Sequence, residues 1–180
     1  TENQIHEILV LRKHLHLSFS MAVQSWPAAL TGFIESKCIL TGGASASAYH
    51  YEKINDFDLY IKDDIQMRTF ENRILNSPGS WKDLIEDVNE KYDIQGHDGK
   101  MITTNAVTFK NRVQIILKAN ADHRKTFDFI HTMPYYDFAD KKYFISEQQY
   151  MAIKDKKMVK NPNHTLSLSK KRIEKLTAKG

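Results

Sequence analysis

The sequence predicts an α/β or α+β fold, a mixed sheet of about five strands with flanking helices packed mainly on one side. Three observations carry this. Segments with apolar residues every three or four positions flank short β-rich runs, without the strict alternation of a doubly wound sheet. "NAVTFKNRVQIIL" reads as a hairpin around Lys110-Asn111. "KCILTGG" joins an apolar run to two glycines, the pattern of a short buried strand ended by a turn.

In chain order, Ile5, Ile8, Leu9, Arg12 and Leu15 mark a first amphipathic helix over 4–16. A second runs to about Glu35 with Trp26, Leu30, Phe33 and Ile34 on one face and Pro27 in its first turn. Residues 37–41 form a strand, 44–50 one or two helical turns, and Phe57 to Ile61 a second strand. Asp63 and Asp64 cap a helix through Met67, Phe70, Ile74 and Leu75 that stops at Pro78-Gly79. Ser80 starts another, with Trp81, Leu84, Ile85 and Val88 inside. After the hairpin, "FDFIH" (127–131) and "YFIS" (143–146) are further strands. Ser146 and Gln149 make a capping box for a helix through Tyr150 and Ile153. A last, basic helix holds Leu166, Ile173 and Leu176. No repeat or linker divides the chain. Residues 1–180 therefore read as one domain: N-terminal helices to 36, a catalytic sheet over 37–146, and basic helices over 147–180.

At 180 residues, 41% hydrophobic and 27% charged, the chain has the length and composition of a protein with a real core. No apolar run approaches the ~18 to 20 residues of a membrane span, and no signal peptide opens the sequence. The single cysteine, Cys38 in "CILT", forms no internal disulfide, which fits a cytoplasmic protein with a buried thiol. The eight histidines show no paired metal-ligand spacing. A P-loop is excluded, because Gly-x-x-x-x-Gly-Lys is absent. The net charge is +4, and the stretch from Lys141 to Gly180 carries more than the whole excess. Such a run is either a solvated helical face or a guide for a polyanion.

The chemistry concentrates in "LTGGASASAYHYEKINDFDLYI", residues 40–61. Residues two apart on a strand face the same side, so Asp56 and Asp58 aim at one spot while Phe57 enters the core. Two like charges that close repel unless a cation lies between them. No basic residue alternates with them on that strand, which leaves a hard divalent cation such as Mg²⁺, with its preference for carboxylates and phosphate oxygens. Gly42 and Gly43 let backbone approach a phosphate closely. Ser45 and Ser47 are small residues for tight packing.

Leu40-Thr41-Gly42-Gly43 before Asn55-Asp56-Phe57-Asp58-Leu59, with twelve residues between Gly43 and Asp56, resembles the DNA polymerase beta-like nucleotidyltransferases. That superfamily includes poly(A) polymerases, CCA-adding enzymes and small toxin and drug-modifying enzymes; the motif order is similar over roughly 37–131. The resemblance implies that Asp56 and Asp58 bind two Mg²⁺ ions, with Mn²⁺ as the substitute, that grip an NTP such as ATP. It implies that Gly42 and Gly43 make room for the phosphates, with Ser45 as a side-chain donor to the nucleotide. It also implies a third carboxylate on a neighbouring strand, for which Asp128 in "FDFIH" is the candidate and Asp122 the fallback. The better strand, "RVQIIL", offers Gln114 instead of an acid. Lys171, Arg172 and Lys175 are candidates for phosphate or RNA contact. The expected activity is transfer of a nucleoside monophosphate to an acceptor hydroxyl, on RNA or a tRNA end, with release of pyrophosphate. The alternatives are an enzyme modifying a protein or small molecule, or an inactive nucleotide- or RNA-binding module of the same fold.

Overall fold

Alternating burial builds the centre of the molecule. In β2 (Phe57–Ile61), Phe57, Leu59 and Ile61 enter one apolar cluster while Tyr60, one position out of phase, enters another on the opposite face. The same alternation runs through β1 (Cys38–Thr41) and β5 (Val113–Asn120), so one sheet has two unlike faces. The computed structural model describes residues 1–75, 82–96, 98–166 and 170–178.

Among the described residues the sheet has seven strands, in the order β3-β4-β5-β2-β1-β6-β7, where β3 is Ile85–Gln95, β4 Met101–Phe109, β6 Tyr135–Asp137 and β7 Lys142–Phe144. Only β2 and β5 pair in parallel; the other neighbours are antiparallel. The fold is thus α+β, with a mostly antiparallel sheet and flanking helices. The larger cluster lies under α1 (Glu2–Ala22), α2 (Ala28–Lys37) and α4 (Asp64–Phe70), through Leu11, Leu15, Leu30, Ile34, Met67 and Phe70. Each such aliphatic or aromatic side chain, taken fully from water, contributes about 1.5–3 kcal/mol. The other face carries the smaller cluster of Ile39, Tyr60, Ile116 and Phe127 and is covered mainly by irregular chain. Among the described residues no helix is long and apolar enough to cross a membrane.

Several expectations need correction. The helix expected from Ser80 is instead a short turn over Lys82–Leu84 followed by β3. β3 is an edge strand, so its outer residues meet water and its apolar spacing mimics a helix. "FDFIH" is not a strand: it forms an isolated bridge from Phe129 to Lys160 and a single turn over Ile130–Thr132. It cannot lie beside β2, whose neighbours are β1 and β5. The strand missed there is β6, which pairs with β1 and β7. Asp63 does cap α4, accepting from the Gln66 N–H at 2.8 Å, and the helix widens into a π-type turn over Glu71–Leu75. The stop at Pro78-Gly79, Ser80, Trp81 and the side chains of Ile74 and Leu75 lie outside the described residues.

Two polar devices attach the remaining elements. Glu7 of α1 accepts from the Tyr49 hydroxyl of α3 (Ala44–Tyr49) at 2.8 Å and from the Tyr150 hydroxyl of α5 (Glu147–Lys154), joining three helices. Gln95, buried at the end of β3, donates to the Asn163 carbonyl at 2.8 Å and accepts from the Thr165 N–H at 2.6 Å. Buried Asn161 adds a bond to the Lys125 carbonyl at 2.8 Å. Residues 159–166 are thereby strapped across the less covered face, ahead of α6 (Lys170–Ala178).

The hydrogen bonds from Tyr150 and then Tyr49 hold the Glu7 carboxyl below its ordinary range. A carboxyl with a lower pKa folded than unfolded stabilises the protein at neutral pH and loses that contribution as pH falls through the folded value. Glu7→Gln should therefore lower the thermal midpoint at pH 7. In melts at successively lower pH the gap from the parent should close; a constant gap would assign Glu7 to packing alone.

Candidate functional site

The site begins where β1 runs out. Thr41 lies opposite Asp58 in register, and its hydroxyl donates to the carbonyl of Pro134 at 3.1 Å. The chain then turns at Gly42 with φ +82°, in the left-handed region, and the Gly42 N–H donates to the Thr132 carbonyl at 3.1 Å. A Cβ on Gly42 would stand 2.7 Å from Asp58 Oδ2, closer than atoms pack. The Asp58 carboxylate therefore occupies the space a side chain at 42 would need. Gly43 differs: a Cβ there would meet nothing within 4 Å, so this residue borders open space.

Both glycines and both aspartates line a cleft of about 460 Å³. Asp56, just before β2, accepts from Arg112 Nε at 2.8 Å. Arg112 Nη2 reaches Glu90 Oε1 on β3 at 3.4 Å, and Glu90 Oε2 accepts from the Thr108 hydroxyl of β4 at 2.5 Å. Thr108 Oγ1 in turn accepts from Gln114 Nε2 at 3.2 Å, and Gln114 is the β5 residue in register with Asp58. The Thr108 hydrogen bond, followed by the Arg112 charge, holds the Glu90 carboxyl below its ordinary range. The hydrogen bond to Asp56 likewise raises the pKa of Arg112.

A second group on the same cleft comes from later in the chain. Asp128 Oδ2 accepts from Arg172 Nε at 2.8 Å, and Asp128 Oδ1 caps the Phe129 N–H at 2.9 Å. Burial opposes the Arg172 charge, but the hydrogen bond from Asp128 outweighs it and the guanidinium is held more firmly charged than usual. Lys175 and Leu176, three and four residues on, share the lining with Arg172, so one face of α6 looks into the cleft. Tyr92 and Phe127 add aromatic surface, and Tyr60 packs behind them. Burial pushes the Tyr60 and Tyr92 hydroxyls well up, so both stay neutral.

Most of the residues expected at the site thus meet in one cleft. No basic residue alternates with Asp56 on its own strand, but the β4–β5 turn delivers Arg112 to it from elsewhere in the chain. Asp128 reaches the cleft from irregular chain and pairs with Arg172. Asp122, the fallback, is exposed and paired with Lys125 at 3.4 Å. Ser45 points away: buried in α3, it accepts from the Tyr143 hydroxyl at 2.8 Å, while Ser47 lines the cleft. The side chain of Lys171 lies outside the described residues. Among the described residues no three His, Cys, Asp or Glu side chains are gathered as a ready metal cage. Sequence reasoning missed Glu90 and Arg112. The signal for Glu90 was the alternation Glu90, Tyr92, Ile94 along β3, hidden by the helix expected just before it.

Comparison with known proteins gives a family and a set of similar folds. A family model described as a Gabija anti-defense 2 family protein matches residues 12–156. No curated protein matches the chain. Among solved structures the chain is similar to the Thermotoga maritima CCA-adding enzyme complexed with tRNA, at 15% identity and a TM-score of 0.46, covering 78% of this chain and 34% of that one. It is also similar to an apo CCA-adding enzyme, at 12% identity and a TM-score of 0.45, covering 76% and 32%. The chain spans about a third of each of those two enzymes.

The two glycines make a direct test of the geometry. Gly42→Ala forces a left-handed alanine, a cost of about 1–3 kcal/mol, and drives its methyl into Asp58. Its thermal midpoint should fall by several degrees, while Gly43→Ala should melt near the parent. Equal melting of the two variants would show that Asp58 does not rest against Gly42.

Proposed function

The chain belongs to the Gabija anti-defense 2 family, and on that premise we propose that it is a metal-dependent nucleotidyltransferase working from the Gly42–Asp58 cleft. The observation that carries the reading is the seating of Asp58 against Gly42, with Asp56 on the same cleft. A phosphate-transfer site needs carboxylates for a cation beside bare backbone for phosphates, and these residues supply both.

The residues fit Mg²⁺. The ion commonly takes one or two carboxylates and completes its shell with water and substrate phosphates. Asp56 is engaged by Arg112, but that guanidinium is 48% exposed, and pairs of this kind contribute only about 0–1 kcal/mol. A divalent ion arriving with a triphosphate competes on favourable terms. Asp56 and Asp58 would hold the metal; when bound, it lowers the cost of charge on the attacking and leaving oxygens of the α-phosphate.

The rest falls to the chain itself. The open side of Gly43 leaves room for the phosphates. Arg172 and Lys175 neutralise charge, and Tyr92 and Phe127 offer a surface for a base. Asp128 is assigned to holding Arg172 rather than to a third metal position, because its carboxylate is already spanned by that guanidinium. The acceptor favoured by the basic C-terminal quarter is an RNA hydroxyl. The family name supports a second reading, in which the acceptor is a component of the Gabija defense itself.

Labelled NTPs with Mg²⁺, RNA and the Gabija proteins would show which species gains label. Label should appear with the parent and fall by at least about a hundredfold with Asp58→Asn, in line with loss of a group acting at the reacting centre. Asp128→Asn should raise KM for nucleotide more than it lowers kcat; a kcat loss equal to that of Asp58→Asn would return Asp128 to the metal. Lys175→Ala should weaken RNA binding and flatten its salt dependence. Unlabelled RNA and unlabelled Gabija proteins with every NTP would leave a binding module.

A further inference from the structure

Arg112 stands where the reading above requires a cation. It reaches that place from a strained turn: Asn111 and Arg112 follow one another with φ of 63° and 56°. Asparagine tolerates that region, whereas a long side chain there is uncommon. The conformation has a visible result, since it aims the guanidinium across the strand ends at Asp56 and Glu90 together. Glu90 is itself fixed by Thr108, and Thr108 by Gln114, in register with Asp58. Three strands therefore cooperate to hold one guanidinium over one carboxylate of the aspartate pair.

We propose that Arg112 is a latch on the cation site, neutralising Asp56 in the nucleotide-free protein and giving it up when a divalent cation enters. Glu90 is the tether. It keeps the released guanidinium at the cleft, where the nearest new anion is the triphosphate arriving with the metal. The latch thus opposes metal alone and favours metal with polyphosphate. No covalent step is involved. The inference rests on the reading that Asp56 and Asp58 take the ion.

The opposite signs make the test specific. Calorimetric titration with MnCl₂ should show Arg112→Gln binding the ion about two- to fivefold more tightly than the parent, the range set by a half-exposed ion pair. Inorganic tripolyphosphate, titrated in saturating Mn²⁺, should bind Arg112→Gln more weakly than the parent. A second measurement needs no variant: the Arg112 Nε–H resonance of the parent should shift when Mg²⁺ is added. Parent binding of Mn²⁺ that Asp58→Asn abolishes but Arg112→Gln leaves unchanged would overturn the latch and keep the metal site. An Nε–H resonance unmoved at Mg²⁺ saturation would do the same. No Mn²⁺ bound by either parent or Arg112→Gln would overturn both.

Discussion

The site depends on a missing atom. Because residue 42 has no Cβ, the Asp58 carboxylate can lie flush against the turn that ends β1, and that contact ties the direction of the first strand to the chemistry of the second. Thr41 fixes the turn from the other side through carbonyls near residue 132, so the loop at 130–134 is bound into the same arrangement. In register with Asp58 stands Gln114, which leads through Thr108 to Glu90 and Arg112. The carboxylate thus sits at the head of a polar row crossing four strands, with a packed apolar layer beneath.

That layer explains why a charged cleft is sustainable. Phe57, Leu59 and Ile61 alternate with Asp58 and Tyr60, so the strand that exposes a carboxylate anchors itself three times in the larger core. Polar groups on the other face meet partners rather than bare hydrocarbon: Glu90 has a hydroxyl and a guanidinium, and Asp128 has Arg172. Such pairing offsets the desolvation that an isolated buried charge would suffer. Asp56, Glu90 and Asp128 each meet a guanidinium before any ligand arrives.

How much of this was legible followed from how local each signal was. The bounds of β2, the short helix after Gly43 and the hairpin core over 105–117 were readable because periodicity and turn chemistry agreed within a few residues. The capping box at Ser146 was readable for the same reason. β3 was not, because Trp81, Leu84, Ile85 and Val88 stand at helical spacing ahead of its alternating half and read as a helix. "FDFIH" misled in the opposite direction: its apolar residues are buried in irregular chain whose backbone groups bond to residues 159–161 instead of a ladder. At the site, Asp56, Asp58, Gly42 and Gly43 are neighbours in sequence and could be read together. Arg112 lies 56 positions from Asp56 and Arg172 44 from Asp128, and no local pattern announces pairings of that span.

The strap through Gln95 and Asn161 also orders events in time. Asp56, Asp58, Glu90 and Asp93 of the cleft all precede the end of β5, whereas Asp128 follows it and Arg172 and Lys175 come more than fifty residues later, beyond the strap. Contacts of such long sequence separation form late and close slowly. A growing chain therefore holds most of the carboxylates of the cleft before it holds Arg172 and Lys175. Until Arg172 and Lys175 are made, the cleft has Asp56, Asp58, Glu90 and Asp93 against Lys91 and Arg112, so a polyanion meets less attraction in a half-made molecule than in the finished one.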